Sequence, residues 1–174
     1  MFKELALKRE SCRNYDGRPV PHELLKSVLE TACLSPSACN SQPWRMIAVE
    51  GEKAEELRPM VQGAGLTRFA DNVSTFVVMC ETKASLKEGV GGERQRFAQM
   101  DVGMLTMMLT LAATDAGLST CILGCFREKR IKEFLNIPED VPVRLVVAMG
   151  YAKDESIRKK IRKAQDEVIG YQTW

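Results

Sequence analysis

The stretch from Arg94 to Ala116 constrains this chain most, because it predicts one long helix that is apolar on nearly every side. Its apolar residues are Met100, Val102, Met104, Leu105, Met107, Met108, Leu109, Leu111 and Ala112. A helix that is apolar all round has to be buried all round. A chain of 174 residues offers too little surface to cover such a helix by itself. We therefore expect a partner subunit to cover the rest.

The segments around this helix predict a sheet covered by helices. Four short apolar runs read as strands, at 44–49, 75–80, 119–123 and 143–149. Helical spacing marks 52–61 and 128–135, and a short first helix ends near Arg9. A further helix has Pro21 in its first turn and stops at Ser35-Pro36, with apolar residues at Leu24, Leu25, Val28, Leu29 and Ala32. The polar, glycine-containing stretch Lys83–Gly92 predicts a loop. The length and the mixed order of elements favour a single domain over residues 1–174.

Composition argues against several classes of protein. The net charge of +2 gives no reason to expect a nucleic-acid partner. We expect no signal peptide at the charged N-terminus and no apolar run near the roughly 20 residues that span a membrane. The six cysteines form no Cys-x-x-Cys pair, and the only histidine is His22, so we expect no metal site. Free thiols then indicate a cytoplasmic protein.

The chain lacks the usual catalytic motifs. It contains no Gly-x-Ser-x-Gly elbow, no phosphate loop and no Gly-x-Gly-x-x-Gly fingerprint. We expect His22, at the start of a helix, to be a solvated surface residue. If the protein is an enzyme, a bound cofactor should carry the chemistry, and no side chain is predicted to be catalytic.

Two basic clusters at opposite ends of the chain are candidate phosphate ligands. Arg9, Ser11 and Arg13 alternate, so in an extended segment they face the same side. Two guanidinium groups and a hydroxyl suit a phosphate, although a solvated charged turn explains the same pattern. For the run Arg158–Lys163 the residues alone favour a solvated face, as is usual for charge runs.

The segment Pro36–Trp44 is the third candidate. Its small residues permit the close approach of a flat ligand, and Asn40 and Gln42 can both donate and accept hydrogen bonds. Such side chains suit the edge of a heterocycle that alternates carbonyls with ring nitrogens. An ordinary loop between two prolines is the competing interpretation.

Taken in order, these motifs resemble those of the FMN-dependent nitroreductase family. Arg9–Tyr15 resembles its Arg-Arg-Ser-x-Arg-x-Phe signature, and Pro36–Trp44 resembles its Pro-Ser-x-x-Asn-x-Gln-Pro-Trp segment. The resemblance continues through Asp101–Leu118, Leu123–Phe126, Ile137–Asp140, Met149–Tyr151 and Lys160–Arg162. It therefore covers nearly the whole chain.

The resemblance implies an α+β fold, a helix-covered mixed or antiparallel sheet in an intertwined homodimer, with FMN at the subunit interface. It assigns Arg9, Ser11, Arg13, Lys160 and Arg162 to the FMN phosphate and ribityl chain. It places Pro36, Ser37, Ala38 and Asn40 of the other subunit against the same flavin. Backbone amides near Gly124 and Cys125 would face flavin N5. The implied reaction is ping-pong hydride transfer from NAD(P)H to an acceptor such as a nitroaromatic or a quinone.

This sequence departs from the family pattern in three places. Glu10 replaces a usually basic or neutral residue, Cys125 stands where many members have glycine, and the loop from Lys83 to Arg94 is short. Other flavin reactions on the same scaffold remain open: dehalogenation, flavin fragmentation or azoline oxidation. A redox sensor without turnover, using Cys39 or Cys125, and a plain helical dimerisation module also remain open.

Overall fold

A four-stranded antiparallel sheet lies at the centre of the fold. The structure is a computed structural model that describes residues 2–62, 68–85, 94–154 and 156–174. Within these ranges the strands are β1 (Trp44–Glu50), β2 (Thr75–Glu81), β3 (Ser119–Leu123) and β4 (Val143–Gly150). Their order across the sheet is β1-β2-β4-β3, and every neighbouring pair is antiparallel. The predicted strands are confirmed to within one residue at each end.

Five α-helices flank the sheet in the described part of the chain. They are α1 (Phe2–Lys8), α2 (His22–Ala32), α3 (Glu52–Val61), α4 (Arg94–Asp115) and α5 (Glu128–Leu135). Short 3-10 turns add Ala38–Asn40, Arg68–Asn72 and Gln165–Glu167. All five α-helices were predicted, because the apolar spacing that defines a helix is local. The predicted stop of α2 at Ser35-Pro36 lies beyond its observed end at Ala32.

Apolar side chains fill both faces of the sheet. Every residue of β2 is buried, as expected of a strand covered on both sides. Val77 and Met79 pack in a cluster with residues of α2 and α4. Phe76 and Val78 pack in a second cluster with residues of α3 and α5. The result is a helix-covered α+β fold with β1 and β3 at the sheet edges.

One face of α4 is buried and the other is exposed. Val102, Leu105 and Leu109 are at most 1% exposed, whereas Met100, Met104 and Met107 are 59%, 41% and 43% exposed. By length and composition alone α4 could cross a membrane, since an 18-residue window within Gln95–Asp115 has a mean hydropathy of 1.2. The packing of its buried face on the sheet and α2 identifies it as a core helix.

The predicted loop Lys83–Gly92 falls largely outside the described residues. Residues 83–85 are described and have no regular secondary structure, and residues 86–93 are not described.

Candidate functional site

The segment Arg9–Arg13 runs beside the edge strand β3. Ser11 forms a parallel bridge with Thr120, and the backbone N–H of Cys12 donates to the Thr120 carbonyl at 2.9 Å. Cys12 is only 7% exposed and joins the core, while Ser11 and Arg13 line a cleft on the other side. Arg9, Ser11 and Arg13 line the same cleft, and Cys12 does not. Glu10, which simple alternation would place on the opposite side, also lines it.

The structure brings the two basic clusters together. The cleft has a volume of about 490 Å³ and contains residues from both ends of the described chain. Its lining consists of Arg9, Glu10, Ser11, Arg13, Arg158, Lys159, Lys160, Ile161 and Arg162. Six basic side chains thus face one carboxylate, and this arrangement suits an anion.

The basic groups of the cleft differ in their partners. Arg158 pairs with Glu10 through Nε at 3.3 Å and donates from Nη2 to the Ser11 carbonyl at 2.7 Å. Lys160 Nζ lies 3.4 Å from Glu10 Oε2. Among the described residues, no carboxylate pairs with Arg9, Arg13 or Arg162. Three guanidinium groups are therefore available to a ligand.

Glu10 is ionised in this setting. Desolvation by burial favours the neutral carboxyl, but hydrogen bonds from the Arg158 backbone and from Lys160 outweigh it and lower the Glu10 pKa. The carboxylate therefore persists as a local negative charge within the cleft.

Sequence reasoning did not assign Arg158 to the site. Arg158, Lys160 and Arg162 alternate, as Arg9, Ser11 and Arg13 do, so all three can face one side of an extended segment. That spacing is the signal that could have identified Arg158. The spacing could not reveal that Arg158 pairs with Glu10, because the two residues are 148 positions apart in the sequence.

The loop Pro36–Pro43 packs against α4 and contributes no residue to the basic cleft of the same chain. Both carboxylate oxygens of the buried Asp101 accept the backbone N–H of Ala38 at 3.2 Å. Ser37 and Ala38 are half-buried, while Pro36 and Asn40 are exposed. Neither these four residues nor Gly124 and Cys125 line the basic cleft of the chain that carries them.

Gly124 and Cys125 follow the end of β3, and both are exposed. The other end of β3 pairs with the basic segment at Thr120. Gly124 is four residues along the chain from Thr120, which is about 13 Å if the backbone stays extended. An elongated ligand along the β3 edge could therefore contact the basic cleft at one end and Gly124 at the other.

The single histidine and the six cysteines are the other residues that the sequence analysis considered. In the described residues no group of three His, Cys, Asp or Glu could hold a metal ion. The side chain of His22 is 71% exposed, with Nδ1 2.8 Å from Glu50. All six cysteines are free, and burial raises the pKa of Cys80 to about 11. Cys39 and Cys125 are exposed thiols.

The chain matches the Nitroreductase family over residues 6–87 and 65–151. A putative NADH dehydrogenase/NAD(P)H nitroreductase of Archaeoglobus fulgidus is 34% identical, with 84% of this chain and 83% of that protein covered.

Solved structures agree with this match. A nitroreductase family protein from Clostridium difficile 630 superposes with a TM-score of 0.84 at 27% identity, covering 100% of this chain and 99% of the other. A structure described as an oxidoreductase containing FMN gives a TM-score of 0.84 at 26% identity and covers 98% and 91%. On the evidence of its sequence and its fold, the chain belongs to the nitroreductase family.

Proposed function

We propose that this protein is an FMN-dependent oxidoreductase that uses NAD(P)H to reduce a small acceptor such as a nitroaromatic or a quinone. The observation that carries the proposal is the basic cleft, where two distant clusters meet and three guanidinium groups have no carboxylate partner in the described chain. The names of the A. fulgidus relative and of the FMN-containing neighbour support it. When bound, FMN supplies hydride transfer through N5 in a ping-pong sequence.

In this proposal the cleft binds the FMN phosphate. Arg9, Ser11 and Arg13 hold the phosphate and the ribityl chain, and Lys160 and Arg162 join them from the C-terminal segment. Guanidinium forks bind phosphate oxygens in a bidentate manner, and a phosphate near −2 matches the excess of basic groups. The cleft thus fits the group by charge and by donor type.

The flavin ring would then extend along the edge of β3 toward Gly124 and Cys125. Backbone N–H groups there would donate to the N5 side of the ring. Pro36, Ser37, Ala38 and Asn40 of the partner would contact the ring from the opposite side, since in their own chain they lie outside the cleft. The protein's task is placement and electrostatics rather than acid–base chemistry.

We propose a homodimer that buries the exposed face of α4. The stripe Met100, Met104 and Met107 recurs at helical spacing, and the C-terminal Val168, Tyr171 and Trp174 are also exposed. An exposed apolar stripe such as that of α4 is typical of an interaction surface. The proposal includes no nucleic-acid partner and no membrane.

A cytoplasmic location is part of the same proposal. The protein carries six free thiols, and such thiols persist in a reducing compartment.

The visible spectrum of the purified protein tests the proposal. We expect a yellow protein whose heat-released cofactor is FMN by chromatography, and steady NADH or NADPH consumption when a quinone or nitroaromatic is added. A yellow protein without turnover would favour the redox-sensor alternative. FAD in place of FMN, or no flavin after reconstitution with FMN, would contradict the proposal.

A further inference from the structure

Glu10 is the one carboxylate in an otherwise basic cleft, and the C-terminal segment occupies both of its oxygens. Oε2 accepts the backbone N–H of Arg158 at 3.2 Å and lies 3.4 Å from Lys160 Nζ. Oε1 accepts Arg158 Nε at 3.3 Å. The side chain is 22% exposed, so the contacts are partly shielded from water.

The C-terminal segment has few other attachments. Between Asp154 and Ala164 the described residues form no helix or strand, and most of them are exposed. The hydrogen bonds recorded from residues 156–164 to the N-terminal part of the described chain end on Glu10 and on the Ser11 carbonyl. Those of Ser156, Arg162 and Ala164 stay within the C-terminal region.

The contacts of Glu10, together with the bond from Arg158 to the Ser11 carbonyl, therefore hold the segment that carries Lys160 and Arg162 beside the N-terminal basic segment. Without an anchor, an exposed segment rich in lysine and arginine samples many conformations, and a ligand has to order it on binding. Anchored by Glu10, the same side chains already face Arg9, Ser11 and Arg13 across the cleft.

We propose that Glu10 is a positioning residue that assembles the phosphate cleft before FMN arrives, by holding the C-terminal basic segment against the N-terminal one. The inference rests on the proposed function, because it takes the bound anion to be the FMN phosphate. It concerns the one residue of the first basic motif that departs from the family pattern toward negative charge.

A positioning role for Glu10 predicts that its removal weakens FMN binding, whereas charge alone predicts tighter binding. Removing a carboxylate from a cationic cleft raises its positive potential and should tighten the binding of an anion. The Glu10 charge, however, is already paired with Arg158 and Lys160, so its repulsion of a phosphate is largely cancelled. Loss of the anchor should therefore dominate, and FMN should bind more weakly.

Glu10→Gln is the primary test, and Glu30→Gln, on the exposed side of α2, is the matched control for loss of one negative charge. Dissociation constants for FMN and riboflavin are measured on the apoprotein by flavin fluorescence. We expect FMN to bind roughly 5- to 100-fold more weakly to Glu10→Gln, as two flexible side chains then have to be ordered on binding. Riboflavin, which lacks the phosphate, should bind as it does to the parent.

Two further variants separate positioning from a simple field effect. Glu10→Asp keeps the charge and shortens the reach, so positioning predicts an intermediate loss of FMN affinity, whereas a field effect predicts parent affinity. In an Arg158→Gln background, Glu10→Gln should have a smaller effect than alone, since its main partner is gone.

Trypsin cleavage of the unliganded protein gives a readout that is independent of flavin. An unanchored segment should be cut faster after Arg158–Lys163 in Glu10→Gln than in the parent or in Glu30→Gln. FMN affinity that is unchanged or tighter, an equal loss for FMN and riboflavin, or unchanged cleavage would each overturn the positioning role. A parent that binds no FMN would refute the proposed function, while the cleavage rates would still decide whether Glu10 anchors the segment.

Discussion

The carboxylate of Asp101 accepts the backbone N–H of Ala38 with both oxygens, each at 3.2 Å. Asp101 is 2% exposed on α4, so the long helix fixes the loop that precedes β1. That loop contains three non-glycine residues with positive φ: Cys39, Asn40 and Gln42, at 52°, 54° and 46°. Such backbone is costly unless its surroundings hold it, and the buried carboxylate is one such support.

Asp101→Asn should therefore destabilise the protein and weaken FMN binding. An amide can accept the Ala38 N–H with its oxygen only, and its NH2 group then lies where a carboxylate oxygen accepted. We expect a loss of about 1–3 kcal/mol in the free energy of unfolding, measured by urea denaturation. Asp115→Asn, at the exposed end of the same helix, is the control and should have little effect. Equal stability of the two variants would contradict the anchoring role of Asp101.

Arg13→Ala and Arg162→Ala should weaken FMN binding far more than they affect folding. Each removes a guanidinium group without a carboxylate partner from the cleft. Loss of charge-assisted hydrogen bonds worth about 1.5–3 kcal/mol corresponds to roughly 10- to 150-fold in the dissociation constant. Because both groups are proposed to contact one phosphate, the double variant should be non-additive.

Lys163→Ala is the control for this cycle, since Lys163 does not line the cleft. Riboflavin should bind all of these variants alike. If Arg13→Ala and Arg162→Ala bind FMN as the parent does, the basic clusters are solvated charge and the site assignment fails, even though the fold stands.

The sequence predicted the elements well because apolar spacing is a local property. It ended β2 at Cys80, whereas the strand continues to Glu81, which is 1% exposed. A charged residue normally marks the end of a buried strand, but Arg144 and Gln95 both donate to this carboxylate. Pairs separated by 63 and 14 residues carry no local signal.

In the candidate site, too, features that depend on neighbouring residues could be predicted and contacts between distant residues could not. The alternation of Arg9, Ser11 and Arg13 could be read directly, because it depends on neighbouring residues. The anchoring of the C-terminal segment by Glu10 could not be read from the sequence. A carboxylate within a basic motif indicates only that the positive electrostatic potential there is lower. The positive φ of Cys39 was hidden as well, because cysteine has no preference for that conformation.

Glu128 should contribute to stability in a pH-dependent way. The backbone N–H of Val143 donates to its carboxylate at 3.0 Å, and this bond, opposed by burial and assisted by Lys132, lowers the Glu128 pKa below 4.5. Stability from a lowered pKa is present above the unfolded value and is lost as the pH falls through the folded value. Because the side chain is 44% exposed, solvent screening keeps the contribution below about 1 kcal/mol.

Glu128→Gln should therefore be slightly less stable than the parent at neutral pH, and the difference should shrink as the pH is lowered toward 3, when urea unfolding is compared across this range. Glu133→Gln, at an exposed position on the same helix, controls for the loss of charge. A difference that persists or grows in acid would show that the carboxylate charge is not what stabilises this contact.

The exposed methionine stripe of α4 leads to the final prediction. Met104 lies between Met100 and Met107 on this face, and Gly103 beside it has open space where a side chain would stand. A charge buried there against a partner subunit would cost several kcal/mol, and two-fold symmetry would introduce it twice. Met104→Glu should thus weaken the dimer at least a hundredfold, about 3 kcal/mol, as measured by sedimentation from micromolar to nanomolar concentration. FMN should be lost with the dimer, since the proposed site uses Ser37 and Asn40 of the partner.

Lys129→Glu, on the exposed side of α5, changes charge without touching this face and should remain dimeric and loaded with FMN. A flavin-loaded monomer of Met104→Glu would refute the shared site, and an unchanged dimer would move the interface away from this face of α4.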